Sequence, residues 1–207
     1  MLKRGRVLKS IGFQLGQSFL IMNERSKIVI RVSFLGEMNV ENSNIQTIKI
    51  RAITIDDYKF VLNWSKDHIF CLSNGWEMNR NEEELKKWWD HCVNNVSKDF
   101  IRFGVEFNEK LIGYADLANI KDNTAELGIA IGESSLWGKG LGYTAALWMI
   151  EYALTKKGIT ILNAETHQKN FRSIKMLNKL GFKEVSRVGY EDYLVANNQL
   201  IQFKCFI

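Results

Sequence analysis

The sequence of 207 residues contains no proline and only three cysteines, Cys71, Cys92 and Cys205. The cysteines form no C-x-x-C pair, which argues against a disulfide framework or a zinc site and is typical of a reducing compartment. No apolar run approaches the roughly 20 residues that a membrane-spanning helix needs. We therefore expect a cytoplasmic protein that has no membrane association and no bound metal. The absence of proline, with many lysine, asparagine and isoleucine residues, is typical of an AT-rich bacterial genome.

The sequence also lacks an excess of one charge over most of its length, although its formal net charge is +5. Residues 1–37 hold seven Lys or Arg residues and two acids, so residues 38–207 carry 21 charges of each sign. The basic excess is therefore confined to the N-terminal segment, and the pI says little about a partner. We expect no nucleic-acid partner.

The N-terminal segment differs from the rest of the chain. We interpret residues 1–45 as a basic extension and residues 46–207 as one domain. Polar residues interrupt the apolar stretch near the start, which argues against a secretory signal. One interpretation is that Met38 is the natural start and that a non-native or poorly ordered extension precedes it; a mitochondrial presequence is the alternative. Residues 28–34, IVIRVSF, alternate enough to predict an extra strand.

The segment 125–152, AELGIAIGESSLWGKGLGYTAALWMIEY, carries the most informative pattern. An apolar strand over residues 127–131 follows Glu126, and a polar turn then leads into the glycine-rich residues 137–142, WGKGLG. The apolar residues that come next recur at helical spacing. A glycine-rich turn between a strand and a helix lets backbone N–H groups and the helix dipole bind phosphate.

Three phosphate-binding designs can be compared with this turn. A Walker loop requires G-x-x-x-x-G-K-[ST], but five residues separate Gly132 from Gly138, and Gly140 takes the place of the hydroxyl residue. A Rossmann turn requires G-x-G-x-x-G in a βαβ unit, and neither the third glycine nor that unit is present. The third design is the acetyl-CoA pyrophosphate loop of the GNAT N-acetyltransferases, [QR]-x-x-G-x-[GA]. Residues 137–142 resemble it, with Trp137 in place of Gln or Arg, and the W-G-K-G-x-G form resembles the Rim-type branch, the ribosomal-protein N-terminal acetyltransferases.

The resemblance covers about residues 46–206, and its motifs occur in the family order. Residues 68–78 are predicted to form a loop between the first two predicted helices, and the resemblance implies that this loop lines the acceptor pocket. We predict an α/β (α+β) GNAT fold, in which one mixed, mostly antiparallel sheet is flanked by helices. The predicted strands are residues 47–52, 100–107, 110–119, 127–131, 159–165, 183–188 and 200–206, and the predicted helices include residues 60–64, 79–96 with Asn81 as its cap, and 170–180.

Glu126 is the candidate general base. An amine must be neutral to attack a thioester, so a base has to take its proton. Glu126 lies fourteen residues before Gly140, an offset that resembles that of the catalytic glutamate in GNAT histone acetyltransferases. The alternative interpretation is a solvated carboxylate at the end of a strand.

A second motif, Asn170-x-x-Ser173 followed by Leu180-Gly181-Phe182, resembles the last motif of the family. The resemblance implies that Asn170 contacts the pantetheine arm. Many GNAT enzymes carry a tyrosine as general acid at the position of Leu177, and in the Rim-type branch the helix serine, here Ser173, is the implied proton donor. Helix capping is the alternative role for Asn170 and Ser173.

The resemblance also implies how acetyl-CoA is held. Main-chain groups of the strand before the turn would meet the pantetheine amides in the manner of an added strand, and the turn with its helix would bind the phosphates. The expected cofactor-binding residues are Ala130, Ile131, Trp137, Gly138, Lys139, Gly140, Leu141, Gly142, Thr144, Asn170 and Arg172. Asp192 is a further catalytic candidate on the substrate side, and His167 is interpreted as an exposed loop histidine with a base as the alternative.

We therefore expect an N-acetyltransferase that transfers an acetyl group from acetyl-CoA directly to a primary amine, without a metal or a covalent enzyme intermediate. The acceptor is expected to be a protein N-terminus or a small amine, and the assembly a homodimer. Because Glu77 is the one acid in residues 68–78, a polycationic acceptor is disfavoured. The alternative function is a non-catalytic acyl-CoA-binding regulatory module, which the missing tyrosine and Trp137 favour.

Overall fold

The computed structural model describes residues 19–23, 28–32, 48–95, 97–194 and 196–207 of the chain. The helices within these ranges are α1 Tyr58–Trp64, α2 His68–Asn74, α3 Glu82–Asn94, α4 Leu141–Lys157 and α5 Phe171–Lys179. The strands within the same ranges are β1 Phe19–Asn23, β2 Ile28–Val32, β3 Ile48–Arg51, β4 Ile101–Phe107, β5 Lys110–Lys121, β6 Thr124–Ile131, β7 Ile161–His167, β8 Lys183–Ser186, β9 Tyr190–Tyr193 and β10 Ala196–Phe206.

The strands form one sheet in the order β1-β2-β3-β4-β5-β6-β7-β10-β8, and β9 pairs with the first part of β10. Among these described strands, neighbours are antiparallel except for β2 with β3 and β6 with β7. The predicted mixed, mostly antiparallel sheet flanked by helices is therefore confirmed.

The parallel pairing of β6 with β7 is short. The last paired residues are Glu126 on β6 and Asn163 on β7. Beyond this pair β6 continues to Ile131 and β7 to His167, and no further residues of the two strands pair with each other within the described chain. The two strands diverge, and a gap opens in the sheet on the carboxyl side of Glu126.

Helices pack on both faces of the sheet. On one face, α4 and α5 bury apolar residues such as Met149 and Leu177 against Leu162 of β7. On the opposite face, α1, α2 and α3 contribute to a second apolar cluster, which consists of Val61, Trp64, Phe70, Cys71, Leu85, Trp89 and Leu111. The gap between β6 and β7 therefore lies between two separately packed layers.

The segment between α1 and α3 differs from the prediction. Residues 68–78 were expected to be a loop, but they contain α2, which Asp67 caps at its start and Gly75, with a φ of 63°, ends. Helix α3 is shorter than the predicted residues 79–96, and its predicted cap at Asn81 is confirmed by bonds from the amides of Glu83 and Glu84.

The N-terminal extension is only partly described. Strand β2 confirms the extra strand predicted over residues 28–34, and it pairs with β1 and, through Val32 and Ile48, with β3. The predicted start at Met38 lies outside the described residues, and the boundary at residues 45 and 46 stays a prediction. Within the described ranges, no helix combines the length and the apolar character needed to cross a bilayer.

An ion-pair cluster joins β3, β4 and the start of α1. The guanidinium of Arg51 donates two bonds of 2.7 Å to the Asp57 carboxylate, and its Nε donates to Glu106 at 2.5 Å. The amide of Thr54 also donates to Asp57 at 2.8 Å. Burial opposes ionisation of Asp57, but the bonds from Arg51 and Thr54 outweigh it and lower the pKa of this carboxyl.

Asp57→Asn is expected to lower the free energy of unfolding by about 3 kcal/mol at neutral pH, because it leaves the half-buried charge of Arg51 without its main partner. A carboxyl whose pKa is lower in the folded state contributes stability above its ordinary value of 3.8, so the loss should shrink as the pH falls below that value. Asp56→Asn, at the exposed neighbouring acid, is the matched control and should change stability by less than about 0.5 kcal/mol in urea unfolding. Equal effects of the two substitutions would contradict the role of the cluster.

Candidate functional site

The turn between β6 and α4 is shaped by two glycines with left-handed backbone angles. Gly138 has a φ of 80° and Gly140 a φ of 86°, conformations that strain any residue with a Cβ. Gly140 is the N-cap of the 17-residue helix α4, and no side chain caps this end. The amides of the first helical turn have no intrahelical acceptor, so the helix presents N–H donors and its positive dipole end to a ligand.

A cleft of about 470 Å³ lies beside this turn, along the part of β6 that has no pairing with β7. It extends from β6 across the turn to α5 and is closed on one side by the end of α2. The lining residues are Ser73, Asn74, Ile129, Ala130, Ile131, Leu136, Trp137, Gly138, Gly140, Leu141, Gly142, Tyr143, Asn170, Arg172, Ser173, Lys175, Met176 and Lys179. The structure thus brings together most of the predicted cofactor-binding residues, together with Ser173.

The register of β6 determines which backbone groups face the cleft. The amide of Gly132 donates to the carbonyl of Ile112 on β5 at 2.7 Å, and antiparallel positions alternate between bonded and non-bonded pairs. Ile129 and Ile131 are therefore at positions that direct their N–H and C=O groups away from β5, toward the gap. Ala130 lines the cleft, but its main-chain groups point to β5. Ile129, which the sequence analysis did not select, shares the gap-facing position with Ile131.

Trp137 lies at the end of the β6 edge that faces the gap. Its indole Nε1 donates to the carbonyl of Ile131 at 2.8 Å, so one of the carbonyl lone pairs is already used. The guanidinium of Arg172 lies 4.1 Å from the centre of the indole ring, a cation–π contact between the turn and α5. Trp137 therefore joins β6 to α5 across the mouth of the cleft.

Cations from α5 border the cleft beside the α4 N-terminus. Arg172, Lys175 and Lys179 follow the three- and four-residue spacing that places side chains on one helix face. The ammonium of Lys179 also lies 3.9 Å from the centre of the Tyr143 ring. Lys179 and Tyr143 were missed by the sequence analysis, and the helical spacing from Arg172 was the signal that could have found the lysine.

Asn170 has a structural role in addition to its place in the cleft. Its side-chain oxygen accepts a bond of 3.2 Å from the amide of Ser173, which makes Asn170 the N-cap of α5. Ser173 lies on the first turn of this helix and lines the cleft. Capping and ligand contact are compatible for both residues.

Glu126 lies where β6 and β7 still pair, next to the point at which they diverge. It is half-buried, and its Oε2 accepts a bond of 2.9 Å from Asn119 at the irregular end of β5. Side chains of a strand alternate between faces, so Glu126 shares a face with Gly128. A Cβ at Gly128 would lie 3.5 Å from Asp116, which Arg102 binds through two bonds of 2.8 and 2.6 Å. Glu126 thus lies on the sheet face opposite α4, outside the lining of the cleft.

Three other predicted site residues do not line the cleft. Thr144 is buried, and its hydroxyl donates to the carbonyl of Gly140 at 3.2 Å. Lys139 is exposed on the turn, and Asp192 is exposed on β9, opposite Asn197 of β10.

His167 was interpreted as a loop histidine, and this interpretation was wrong. It is the last residue of β7, its ring is stacked on Tyr193 at a centroid distance of 4.9 Å, and its Nε2 lies 3.6 Å from Glu191. Within the described ranges, no group of three His, Cys, Asp or Glu side chains is close enough together to hold a metal ion.

Asp67 connects the turn to the opposite layer of helices. One carboxylate oxygen accepts from the amide of Phe70 at 2.9 Å and caps α2, and the other accepts from the amide of Ser134 at 2.9 Å. Burial opposes ionisation of Asp67, but these backbone donors outweigh it and lower the pKa of the carboxyl. Asp67 is therefore held as an anion between α2 and the turn.

Comparison with known families matches residues 47–183 to the acetyltransferase (GNAT) domain. The match spans more than half of the chain, and the protein belongs to the GNAT acetyltransferase family. A protein of Methanocaldococcus jannaschii is 30% identical over 153 residues, which are 73% of this chain and 31% of that protein. Human alpha/beta-tubulin-N-acetyltransferase 9 is 41% identical over 71 residues, which are 34% of each chain. The matched residues thus span about a third of the length of these two relatives.

Solved structures share the fold. The spermidine N-acetyltransferase of Vibrio cholerae, crystallised with CoA and spermine, superposes with a TM-score of 0.66 at 20% identity, over 77% of this chain and 95% of that chain. A domain from Methanocaldococcus jannaschii gives a TM-score of 0.61 at 23% identity, over 78% of this chain and 99% of that one. The GNAT fold predicted from the sequence is confirmed.

The geometry of the turn predicts that inorganic pyrophosphate binds the protein and raises its melting temperature. Lys175→Gln should weaken this binding several-fold, because it removes a cation that borders the α4 N-terminus, and the difference should narrow as salt screens the charges. Lys156→Gln removes the same charge from the last turn of α4 and is the matched control. If calorimetric titration gave the two variants the same affinity, the anion site would not lie at this turn.

Proposed function

We propose that this protein is an N-acetyltransferase that transfers an acetyl group from acetyl-CoA directly to a primary amine. The observation that carries the proposal is the gap between β6 and β7, which has an uncapped helix N-terminus at one end and Glu126 at the other. Donors for the cofactor phosphates would then lie at one end of the opening and a carboxylate for the amine at the other, which supports acetyl transfer.

The residues at the cleft suit acetyl-CoA, which would supply the acetyl group as a reactive thioester. A Cβ at Gly138 or Gly140 would meet no atom within 4 Å, so the space beside the turn is open to a ligand. The amides of the first turn of α4, together with Lys175 and Arg172, would hold the phosphates. The gap-facing main-chain groups of Ile129 and Ile131 would bind the pantetheine amides as an added strand does.

Glu126 would act as the general base. Asn119 holds one of its carboxylate oxygens, which leaves the other oxygen for the proton of the amine or of a bridging water. Its position on the face opposite α4 suits an acceptor that enters from the side of α1, α2 and α3. The amine would then approach the gap from one face of the sheet while the cofactor occupies the other.

Ser173 would donate the proton that the leaving thiolate needs. The position of the usual tyrosine is taken by Leu177, which is 4% exposed and belongs to the apolar core, so no hydroxyl is available there. Ser173 lies one helical turn before Leu177 and lines the cleft. Asp192 is also proposed as a substrate-side acid. It lies exposed on the hairpin of β9 and β10.

The acceptor is proposed to be a protein N-terminus or a small amine. The relative named as a tubulin N-acetyltransferase supports a protein acceptor. Within the class of small amines, a polycation such as spermidine, named for one structural neighbour, stays disfavoured because Glu77 is the one acid in residues 68–78. Membership of the Rim-type branch rests on the W-G-K-G-x-G turn. A homodimer is proposed from the family resemblance, and a cytoplasmic location from the sequence.

Two observations favour a second function, that of an acyl-CoA-binding module without turnover. Leu177 provides no general acid, and Trp137 occupies one lone pair of the Ile131 carbonyl. Such a module would bind CoA and transfer no acetyl group to any amine. Measured turnover separates the two functions.

Glu126→Gln is expected to lower kcat for acetyl transfer by about 100-fold or more, because the amide cannot accept the proton. CoA affinity should be unchanged, since Glu126 does not line the cleft. The measurement is thiol release from acetyl-CoA against N-terminal peptides, spermidine, amino sugars, amino acids and aminoglycosides, beside a CoA titration. Glu83→Gln, at an exposed acid of α3, is the control and should retain full activity.

Two results would contradict this proposal in different ways. Full activity of Glu126→Gln would remove Glu126 as the base. CoA binding by the wild type with no turnover of any acceptor would favour the binding module.

A further inference from the structure

We propose that Asp67 is a positioning residue that couples α2 to the cofactor turn, so that CoA binding orders the end of α2 as well as the turn. The inference rests on the proposed function, because it takes the cleft as the CoA site. It assigns a role to a carboxylate that contacts neither the reacting atoms nor the lining of the cleft.

The Asp67 carboxylate connects two elements of the fold. Its two oxygens serve two different elements: one caps α2 through Phe70, and the other holds the amide of Ser134 in the turn, 67 residues further along the chain. A bond between a charged carboxylate and a backbone amide is stronger than a neutral one. A displacement of the turn is therefore transmitted to the first turn of α2.

The turn has further contacts with the same layer of helices. Gly132 packs on Trp64 so closely that a Cβ would lie 2.1 Å from the indole ring. Trp137 packs against the same apolar cluster, to which Trp64 and Phe70 belong. The turn is thus anchored to α1 and α2 at its start, at Ser134 and at Trp137.

Helix α2 ends at the cleft. Ser73 and Asn74, its last two residues, line the cleft opposite the phosphate-binding turn. Ser73 is 9% exposed, and its hydroxyl has no hydrogen-bond partner within the described part of the chain. A buried hydroxyl without a partner is costly, so the end of α2 would gain stability from a shift that turns the Ser73 hydroxyl toward a ligand in the cleft. The seven residues of α2 thus connect Asp67 to a wall that responds to the ligand.

Two substitutions remove the bond between Asp67 and the amide of Ser134 and leave the cap of α2 in place. In Asp67→Asn the side-chain oxygen still caps α2, but the amide group that replaces the second oxygen cannot accept from Ser134. Ser134→Pro removes the donor itself at the first residue of a short 3-10 helix, where proline is tolerated. Asp56→Asn, which neutralises an exposed acid near α1, is the control.

The test combines CoA titration with hydrogen exchange of the full chain. In the wild type, CoA should slow amide exchange both in the first turn of α4 and in residues 70–74. In Asp67→Asn and Ser134→Pro, CoA should still protect α4 and no longer protect residues 70–74, and its affinity should be about tenfold weaker. Without ligand, exchange of residues 133–137 should be faster in both variants, whereas the control should match the wild type.

The outcomes separate the coupling from the proposed function. Protection of residues 70–74 by CoA in both variants, at wild-type level, would overturn the coupling and leave the function in place. A wild type that binds no CoA would overturn the proposed function and the coupling together. A merely structural role of Asp67 would lower stability and leave the CoA-dependent protection of α2 intact, which also contradicts the proposal.

Discussion

The end of the parallel pairing between β6 and β7 is the constraint on which the site depends. Backbone N–H and C=O groups inside a sheet normally bond to a neighbouring strand. Beyond Glu126 and Asn163 the partner is missing, and every second residue of β6 directs its groups into an opening. An edge inside a sheet has to be covered or occupied. Trp137 covers one carbonyl, and the remaining groups form a template for an extended ligand.

Two separately packed layers border the opening, one on each face of the sheet. On one side, α4 and α5 pack into the large apolar core together with β7. On the other side, α1 and α2 pack around Trp64, and Asp67 ties them to the turn. Arg172, stacked on Trp137, is a contact that crosses the mouth. A ligand in the cleft therefore touches both layers at once, which is what an enzyme that brings two substrates together requires.

The glycine turn and the helix caps could be predicted from the sequence, because they depend on local chemistry. The glycines at 138 and 140 have the left-handed angles that a phosphate-binding turn needs, and Asn81 and Asn170 cap the helices that they precede. The rest depends on tertiary contacts. The seven residues of α2 are too few for a clear helical period, and Asp67 meets Ser134 only through the fold. The main-chain groups of Ile129 and Ile131 face the gap because of the register between β6 and β5. A shift of that register by one residue would turn these groups toward β5 and direct those of the neighbouring residues into the gap.

A crystal structure of the protein with CoA would show directly whether the cofactor occupies the gap between β6 and β7. We expect the pyrophosphate at the amides that follow Gly140, the pantetheine arm between β6 and β7 alongside Ile129 and Ile131, and the thiol directed toward Glu126 and Ser173. CoA bound at another surface, or a pantetheine arm that does not enter the gap, would contradict this assignment of the cofactor site.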